Sequence, residues 1–227
     1  AKKHSVSSTH ILIDVPIAKD AKVKNRAEAH KLKKEFERIG KRLKKHVKVI
    51  ITDGKQPIGN GIGPALEARD VLWLLKRDPR RPIDLEKKCL MMCANIFSMI
   101  GLKDGYKKAL GILNSGRAYQ KMLDIIKAQN GKEIAAEDIK IGKYSFDFLS
   151  SRSGMIKDID NLFVSKVARI AGAPREKGAG IYLYRHIGDK VSKGEKLFTI
   201  YAESSHKLEY AKDIAKSSML FVVRQKF

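Results

Sequence analysis

The sequence ITDGKQPIGNGIGPALEARD, residues 51–70, contains the residue types from which ion-binding loops are built. Gly59, Gly61 and Gly63 permit the tight turns that bring backbone amides or carbonyls together, and a helix pattern follows them. The order G-x-G-x-G differs from the dinucleotide-binding fingerprint, and Pro64 stands where a P-loop has lysine. Proline also has no N–H to offer to an anion at the helix start. The pattern therefore disfavours phosphate binding by this loop.

A hard cation is the alternative ligand, because a tight turn can direct several carbonyl oxygens to one point. Asp70, two turns into the following helix, could add a carboxylate to such a cage. A strand-to-helix turn without an ion would use the same glycines, so composition alone leaves both interpretations open.

The elements that must position this loop can be predicted from hydrophobic periodicity. His10 to Pro16 is a short apolar strand, residues 26–45 place apolar side chains at helical spacing, and residues 47–53 form a second apolar strand. Strand, helix and strand in this order predict a parallel βαβ unit. Pro64 suits the first turn of a helix, and Asp84 could cap the next one. That helix is predicted to reach residue 101, with further helices at 103–113 and 116–128.

From about residue 143 the pattern changes to short strands bounded by glycines. We expect an α/β protein in which a partial parallel-sheet α/β domain, flanked by helices, precedes a smaller α+β C-terminal domain. The expected domains are residues 1–130 and 143–227, joined by a linker at 131–142. In the second domain we predict strands at 144–149, 154–158, 181–184, 196–201 and 219–224, and helices at 160–171 and 205–217.

Composition limits the class of protein. The 227 residues contain no apolar run of 18 or more and no signal-peptide pattern, and two cysteines suit a reducing compartment, so a cytoplasmic location is expected. Cys89 and Cys93 are expected to pack in a core rather than to bind metal. The formal net charge of +22 favours anionic partners. Residues 22–48 carry 12 basic residues and three acids, which could be either a solvated helix face or a polyanion-binding surface.

Three stretches resemble the thymidine/pyrimidine-nucleoside phosphorylase family, and they follow one another in the order found in that family. TDGKQPIGNGIGPALEARD, residues 52–70, is similar to the family signature, in a form closest to its archaeal AMP phosphorylase branch. AKKHSVSSTHILIDVPIAKDAKVK, residues 1–24, resembles the stretch after the base-binding serine. Residues 159–203 resemble the family's C-terminal domain.

The resemblance implies a pentosyltransferase that cleaves AMP with phosphate to give adenine and ribose 1,5-bisphosphate. By its register Lys2 contacts the base, with Lys3 as the neighbouring alternative. The carbonyls of Ile58 and Gly61 and the side chain of Asp70 would hold a structural K⁺, and no other cofactor is implied. The catalytic residues would lie before Ala1, so we expect this chain to be the C-terminal part of a longer enzyme, inactive alone.

The implied partners are nucleotide and phosphate substrates and a second copy in a homodimer or larger homo-oligomer, with no membrane and no nucleic acid. One alternative is a thymidine or uridine phosphorylase, which acts on nucleosides. Another, of a different class, is a basic RNA- or DNA-binding module.

Overall fold

The structure, a computed structural model, describes residues 7–217 and 220–224. It contains both helices and strands, which confirms the predicted α/β class. In chain order the elements are β1 (His10–Ile17), α1 (Arg26–Arg42), β2 (His46–Asp53), β3 (Gly61–Ile62), α2 (Pro64–Leu75), α3 (Ile83–Met99), α4 (Gly105–Asn114), α5 (Arg117–Ala128), a 3₁₀ turn (Ala136–Asp138), β4 (Tyr144–Leu149), β5 (Gly154–Ile159), α6 (Asn161–Ala171), β6 (Gly180–Leu183), β7 (Lys190–Val191), β8 (Lys196–Ala202), α7 (Ser205–Lys216) and β9 (Phe221–Arg224).

The chain divides into two compact units, of which the first contains residues 1–55 and 85–117. Here β1 and β2 pair in parallel in one continuous register and α1 is the crossover, as the βαβ prediction required. α1 begins where the Asn25 side chain accepts the Glu28 N–H, while the Glu28 carboxylate accepts the Lys24 N–H. These reciprocal bonds satisfy backbone donors that the first helical turn leaves free. The apolar side of α1 packs on the sheet around Ala29.

The second unit contains residues 56–84 and 118–227. Its two antiparallel sheets have the strand orders β3-β6-β8-β4 and β7-β5-β9. Alternate residues of the strands face a core that α6 and α7 cover, because side chains in a strand point to opposite sides in turn. The buried core residues of these elements include Ile156, Val164, Val167, Ile181, Leu183, Phe198, Ile200, Leu208 and Ala211.

The compact units do not coincide with the domains expected from sequence, and the difference comes from β3. This two-residue strand pairs with β6, opposing Gly61 to Tyr182 and Ile62 to Ile181, and so joins residues 56–84 to the C-terminal part of the chain. Two residues are too short to show a periodicity that sequence reasoning could detect. Whether residues 143–227 fold as an independent domain after a linker at 131–142 stays a prediction.

The helices and the two cysteines can be compared with the expectations from composition. Within residues 7–217 and 220–224, none of the helices has the length and apolar character that crossing a membrane requires. The expectation that the two cysteines pack in a core was wrong, since Cys89 and Cys93 are both exposed on α3. The apolar residues around them in the sequence had suggested a buried helix face.

Candidate functional site

The glycine-rich loop, residues 56–63, precedes α2. It is held by Asp70, whose carboxylate is only 1% exposed. One of its oxygens, Oδ2, accepts the backbone N–H groups of both Asn60 and Gly61, each at 2.7 Å. Charge-assisted bonds of this length are among the stronger hydrogen bonds in proteins. A side chain on α2 therefore fixes the loop that leads into the same helix.

Two other carboxylates complete this arrangement. Asp84 accepts the N–H of Gly59 at 3.1 Å, and Glu67 accepts the N–H of Gly63 at 2.9 Å from the first turn of α2. The expectation that Asp84 caps α3 was wrong, because α3 begins at Ile83 and Asp84 lies inside its first turn. Four backbone amides of the loop therefore donate to three carboxylates, so the loop does not offer these groups to phosphate. This geometry agrees with the sequence argument against an anion site.

Glycine is needed at 61 and 63 because other chain segments approach closely. A Cβ on Gly61 would lie 2.5 Å from the Leu66 carbonyl carbon, and one on Gly63 would lie 2.3 Å from the Ala179 oxygen. Gly63 also has φ of +133°, a conformation that side chains disfavour. These two glycines therefore permit close packing of the loop against α2 and the chain at β6.

Residues of the C-terminal part of the chain fix the other side of the loop. The Leu183 N–H donates to the Asn60 carbonyl at 2.8 Å, and the Ile187 N–H donates to the Gln56 side chain at 2.7 Å. The Asn60 amide nitrogen lies 3.2 Å from the Tyr182 hydroxyl, while its oxygen lies 2.9 Å from Nε2 of His186. Because that oxygen can only accept, this assignment places the His186 proton on Nε2.

The second oxygen of Asp70 is the unusual atom of the site. Oδ1 is buried and has no hydrogen-bond partner among the described residues. Burial raises the pKa of Asp70, although the amides of Gly61 and Asn60 and the nearby Arg69 act to lower it. The Arg69 guanidinium does not cover Oδ1 with a hydrogen bond, since it lies between the rings of Trp73 and Tyr182 at 4.7 and 4.8 Å. A buried carboxylate oxygen without a partner suits coordination to a cation.

The structure brings some of the residues predicted for the site together. Gly61 and Asp70 are in direct contact through the Gly61 N–H, and Ile58 lies half-buried in the same loop. Lys2 and Lys3 lie outside the described residues.

Sequence reasoning missed Tyr182, Leu183 and His186, which hold the loop from the C-terminal part of the chain, and three further residues. These are Asn60, Glu67 and Asp84. Glu67 could have been found, since a glutamate in the first turn of a helix commonly accepts an amide at the helix start. Asn60 and Asp84 have no such local pattern, because their side chains contact residues distant in sequence.

A second polar cluster, also missed, lies in the first unit on β1, β2 and α3. The Thr52 hydroxyl donates to Asp14 at 2.7 Å, and the Lys88 ammonium lies 2.7 Å from the other Asp14 oxygen. Both charged side chains are about one-fifth exposed, at 18% and 20%. Ligands of parallel sheets commonly bind beyond the carboxyl ends of the strands, close to where Thr52 lies. The cluster supplies a fixed negative and a fixed positive charge at that edge.

Comparisons with known proteins identify the family. Residues 155–221 match the family model described as the pyrimidine nucleoside phosphorylase C-terminal domain. A protein of Albidiferax ferrireducens named "Putative thymidine phosphorylase" is 42% identical over 221 residues, which cover 96% of this chain and 42% of that protein. A protein of the same name from Rhodopseudomonas palustris is 42% identical over 226 residues, 98% of this chain and 43% of its own length.

An AMP phosphorylase of Thermofilum pendens is 37% identical over 219 residues, 96% of this chain and 42% of its own length. The chain thus spans about two fifths of the length of the curated relatives that it matches. The matches run through the glycine-rich loop as well as the C-terminal residues that hold it. This chain belongs to the pyrimidine nucleoside phosphorylase family.

Proposed function

We propose that this protein serves the phosphorolysis of a nucleoside 5′-monophosphate, in which AMP and phosphate give adenine and ribose 1,5-bisphosphate. The observation that carries the proposal is the similarity to an AMP phosphorylase across 96% of the chain. The structure adds a loop whose glycines, amides and carboxylates are arranged to hold a fixed shape rather than to bind phosphate.

In this reaction a phosphate oxygen forms a bond to C1′ of the ribose while the bond from C1′ to the base nitrogen breaks. The departing base takes the bonding electrons and must receive a proton or a strong hydrogen bond. A lysine ammonium at the base can stabilise that developing negative charge. We assign this role to Lys2, with Lys3 as the alternative, on the register of the resemblance.

The glycine-rich loop would brace this site with a monovalent cation. The carbonyls of Ile58 and Gly61 and the Oδ1 atom of Asp70 are the proposed ligands. The unpartnered, buried Oδ1 supports the assignment, because a cation would supply the interaction that the described residues do not. When bound, the ion would neutralise the Asp70 charge and keep the loop rigid; it takes no part in bond cleavage.

A nucleoside substrate is the second candidate, and a specific observation favours it. The relatives from Albidiferax and Rhodopseudomonas carry the name of thymidine phosphorylase and are more similar in sequence than the Thermofilum protein. The two candidates differ in whether the substrate has a 5′-phosphate.

The proposal can be tested with this chain completed by the part of the Thermofilum pendens protein that it does not match. Incubation with phosphate and either AMP or thymidine, followed by chromatography of the free bases, should show adenine release from AMP. Faster release of thymine would favour the nucleoside candidate. Release of neither base by a chimera with a native circular dichroism spectrum, under conditions where the parent enzyme is active, would reject both. We expect the 227-residue chain alone to release no base.

A further inference from the structure

Helix α1 carries five cationic side chains on one exposed face. Lys31, Lys34, Arg38, Lys41 and Arg42, here called the basic stripe, are all exposed and follow one another at spacings of 3, 4, 3 and 1 residues. Residues three and four apart are neighbours on a helix, so these charges form a row. The row extends over about 16 Å at a rise of about 1.5 Å per residue.

The acids of α1 do not neutralise this row. The Glu28 carboxylate accepts the backbone N–H of Lys24 and the side-chain N–H of Asn25 at the start of the helix. Glu37 pairs with Lys33, which lies outside the stripe. Glu35, the third acid of the helix, lies four residues after Lys31 and three before Arg38, so a single neighbouring acid faces five cations. None of the five stripe residues forms an ion pair with any residue that the structure describes. Neighbouring like charges destabilise a helix, so solubility alone, which charges of mixed sign would serve, is a poor explanation for the row.

The helix dipole accounts for only part of the stripe. Lys41 and Arg42 lie in the last turn, where positive charge interacts favourably with the helix C-terminus. Lys31, Lys34 and Arg38 lie further from the end, where the effect of the dipole has faded.

We propose that the basic stripe binds the phosphate backbone of a nucleic acid duplex. A duplex carries one negative charge per about 1.7 Å of its axis, so a row of five cations about 16 Å long meets a dense line of opposite charge. The stripe contains no aromatic residue on which an unpaired base could stack, which favours a duplex over a single strand. Backbone contacts carry little sequence information, so the binding would not be sequence-specific.

The position of α1 in the fold argues against a membrane surface as the partner. Membrane-bound amphipathic helices insert an exposed apolar face between lipids. In α1 most of that face is covered, since Ala29 is fully buried and Leu32 and Phe36 pack against the β1–β2 sheet. Of its large apolar residues Ile39 is exposed, and one such residue does not make an apolar face that could insert between lipids. The inference is independent of the phosphorylase proposal, and it differs from the expectation, drawn from the resemblance, that nucleic acid is not a partner.

Fluorescence anisotropy of the whole 227-residue chain with labelled 20-base-pair RNA and DNA duplexes tests the proposal. The test variant replaces Lys31, Lys34 and Arg38 together by glutamine. The matched control replaces Lys166, Arg169 and Arg175, three exposed cations of the second unit, so that both variants lose the same charge. Titrations at several KCl concentrations between 50 and 200 mM give the salt dependence.

We expect the stripe variant to bind at least about 10-fold more weakly at 100 mM KCl, with a log–log salt slope reduced by roughly 2.7 for three lost contacts. The control variant should bind within about 2-fold of the unchanged protein. Its melting temperature should be unchanged, and that of the stripe variant unchanged or higher, because repulsion between like charges has been removed. Preference for RNA over DNA, or the reverse, would identify the source of the duplex.

Equal weakening of the two variants would overturn the proposal, since it would mean that net charge alone draws the duplex. Absence of saturable duplex binding would overturn it too. So would tighter binding to phosphatidylserine vesicles than to either duplex.

Discussion

Replacing Asp70 by alanine should destabilise the second unit through the glycine-rich loop. The change leaves the N–H groups of Asn60 and Gly61 without their acceptor at a site where the carboxylate is 1% exposed. An unsatisfied buried donor costs about 1–3 kcal/mol, so the two together cost about 2–6 kcal/mol. Against a typical free energy of unfolding of about 5–15 kcal/mol this is a large loss. Urea unfolding followed by circular dichroism measures it.

Replacing Asp70 by asparagine separates the acceptor from the charge. The amide oxygen can still accept both backbone N–H groups, so most of the structural contribution remains. The amide nitrogen takes the place of Oδ1, however, and cannot bind a cation. We therefore expect a loss of stability well below that of alanine, accompanied by loss of any response to potassium.

The size of the potassium response follows from mass action. For a dissociation constant of about 10 mM, a K⁺ concentration of about 100 mM stabilises the folded state by about 1.4 kcal/mol. For a chain of this length that is roughly 3–6 °C in melting temperature. The unchanged protein should melt higher in KCl than in tetramethylammonium chloride by this amount, whereas the asparagine variant should melt equally in both.

The pH dependence of the same measurement gives an independent check. Because burial raises the pKa of Asp70 above its ordinary value of 3.8, the folded state holds this proton more tightly than the unfolded state does. Asp70 therefore contributes its full stability at pH values below its pKa in the unfolded chain. That contribution is lost as pH rises through the pKa of Asp70 in the folded protein. A cation at Oδ1 offsets that loss, so the potassium response should grow as pH rises above about 4. Equal melting of the unchanged protein in both salts at every pH, or a potassium response that survives in the asparagine variant, would refute the cation assignment.

Three further predictions concern other parts of the chain. Limited proteolysis should cut first within residues 129–142, and protection of that range with cleavage elsewhere would contradict an independent C-terminal domain. Lys88→Met should destabilise the first unit by about 1–3 kcal/mol in urea unfolding, because it leaves the mostly buried carboxylate of Asp14 without its ion-pair partner. The control, Lys87→Met on the exposed side of the same helix, should change stability by less than about 0.5 kcal/mol. In the complete enzyme, Lys2→Ala should lower kcat/KM roughly 10- to 150-fold, as expected for the loss of a charged hydrogen bond of about 1.5–3 kcal/mol. Lys3→Ala should lower it several-fold at most. A larger loss for Lys3→Ala than for Lys2→Ala would mean that the assumed register is off by one residue.

The regular elements could be predicted from sequence because their signals are local. β1, α1 and β2 each show the apolar period of their own structure, and their order determines the parallel pairing that the structure confirms. The start of α2 was found for the same reason, since Pro64 occupies its first position. After residue 143 the predicted strands and helices lie within a few residues of their observed ends, because glycines mark the turns between them. The two-residue strand β7 was not predicted, since it is too short to show a periodicity.

The interactions that hold the glycine-rich loop could not be predicted in the same way. The pairing of Gly61 with Tyr182 joins residues more than 100 positions apart, and no local sequence pattern predicts it. The direction of the loop's backbone N–H groups could not be predicted from the sequence either. From the sequence we considered only the carbonyls of the loop together with Asp70, whereas the structure also shows amides that donate to Asp70, through bonds that depend on where α2 places that side chain.

The loop and the C-terminal residues therefore have to be understood together. Tyr182, Leu183 and His186, all within the matched C-terminal domain, contact Asn60, while Asp70 holds Asn60 from the side of α2. Contacts between residues so far apart in sequence close a long loop, which costs entropy that the contacts themselves have to offset. The folded loop is thus held by β6 on one side and by α2 on the other. We therefore expect the C-terminal domain to serve as a scaffold that fixes the glycine-rich loop.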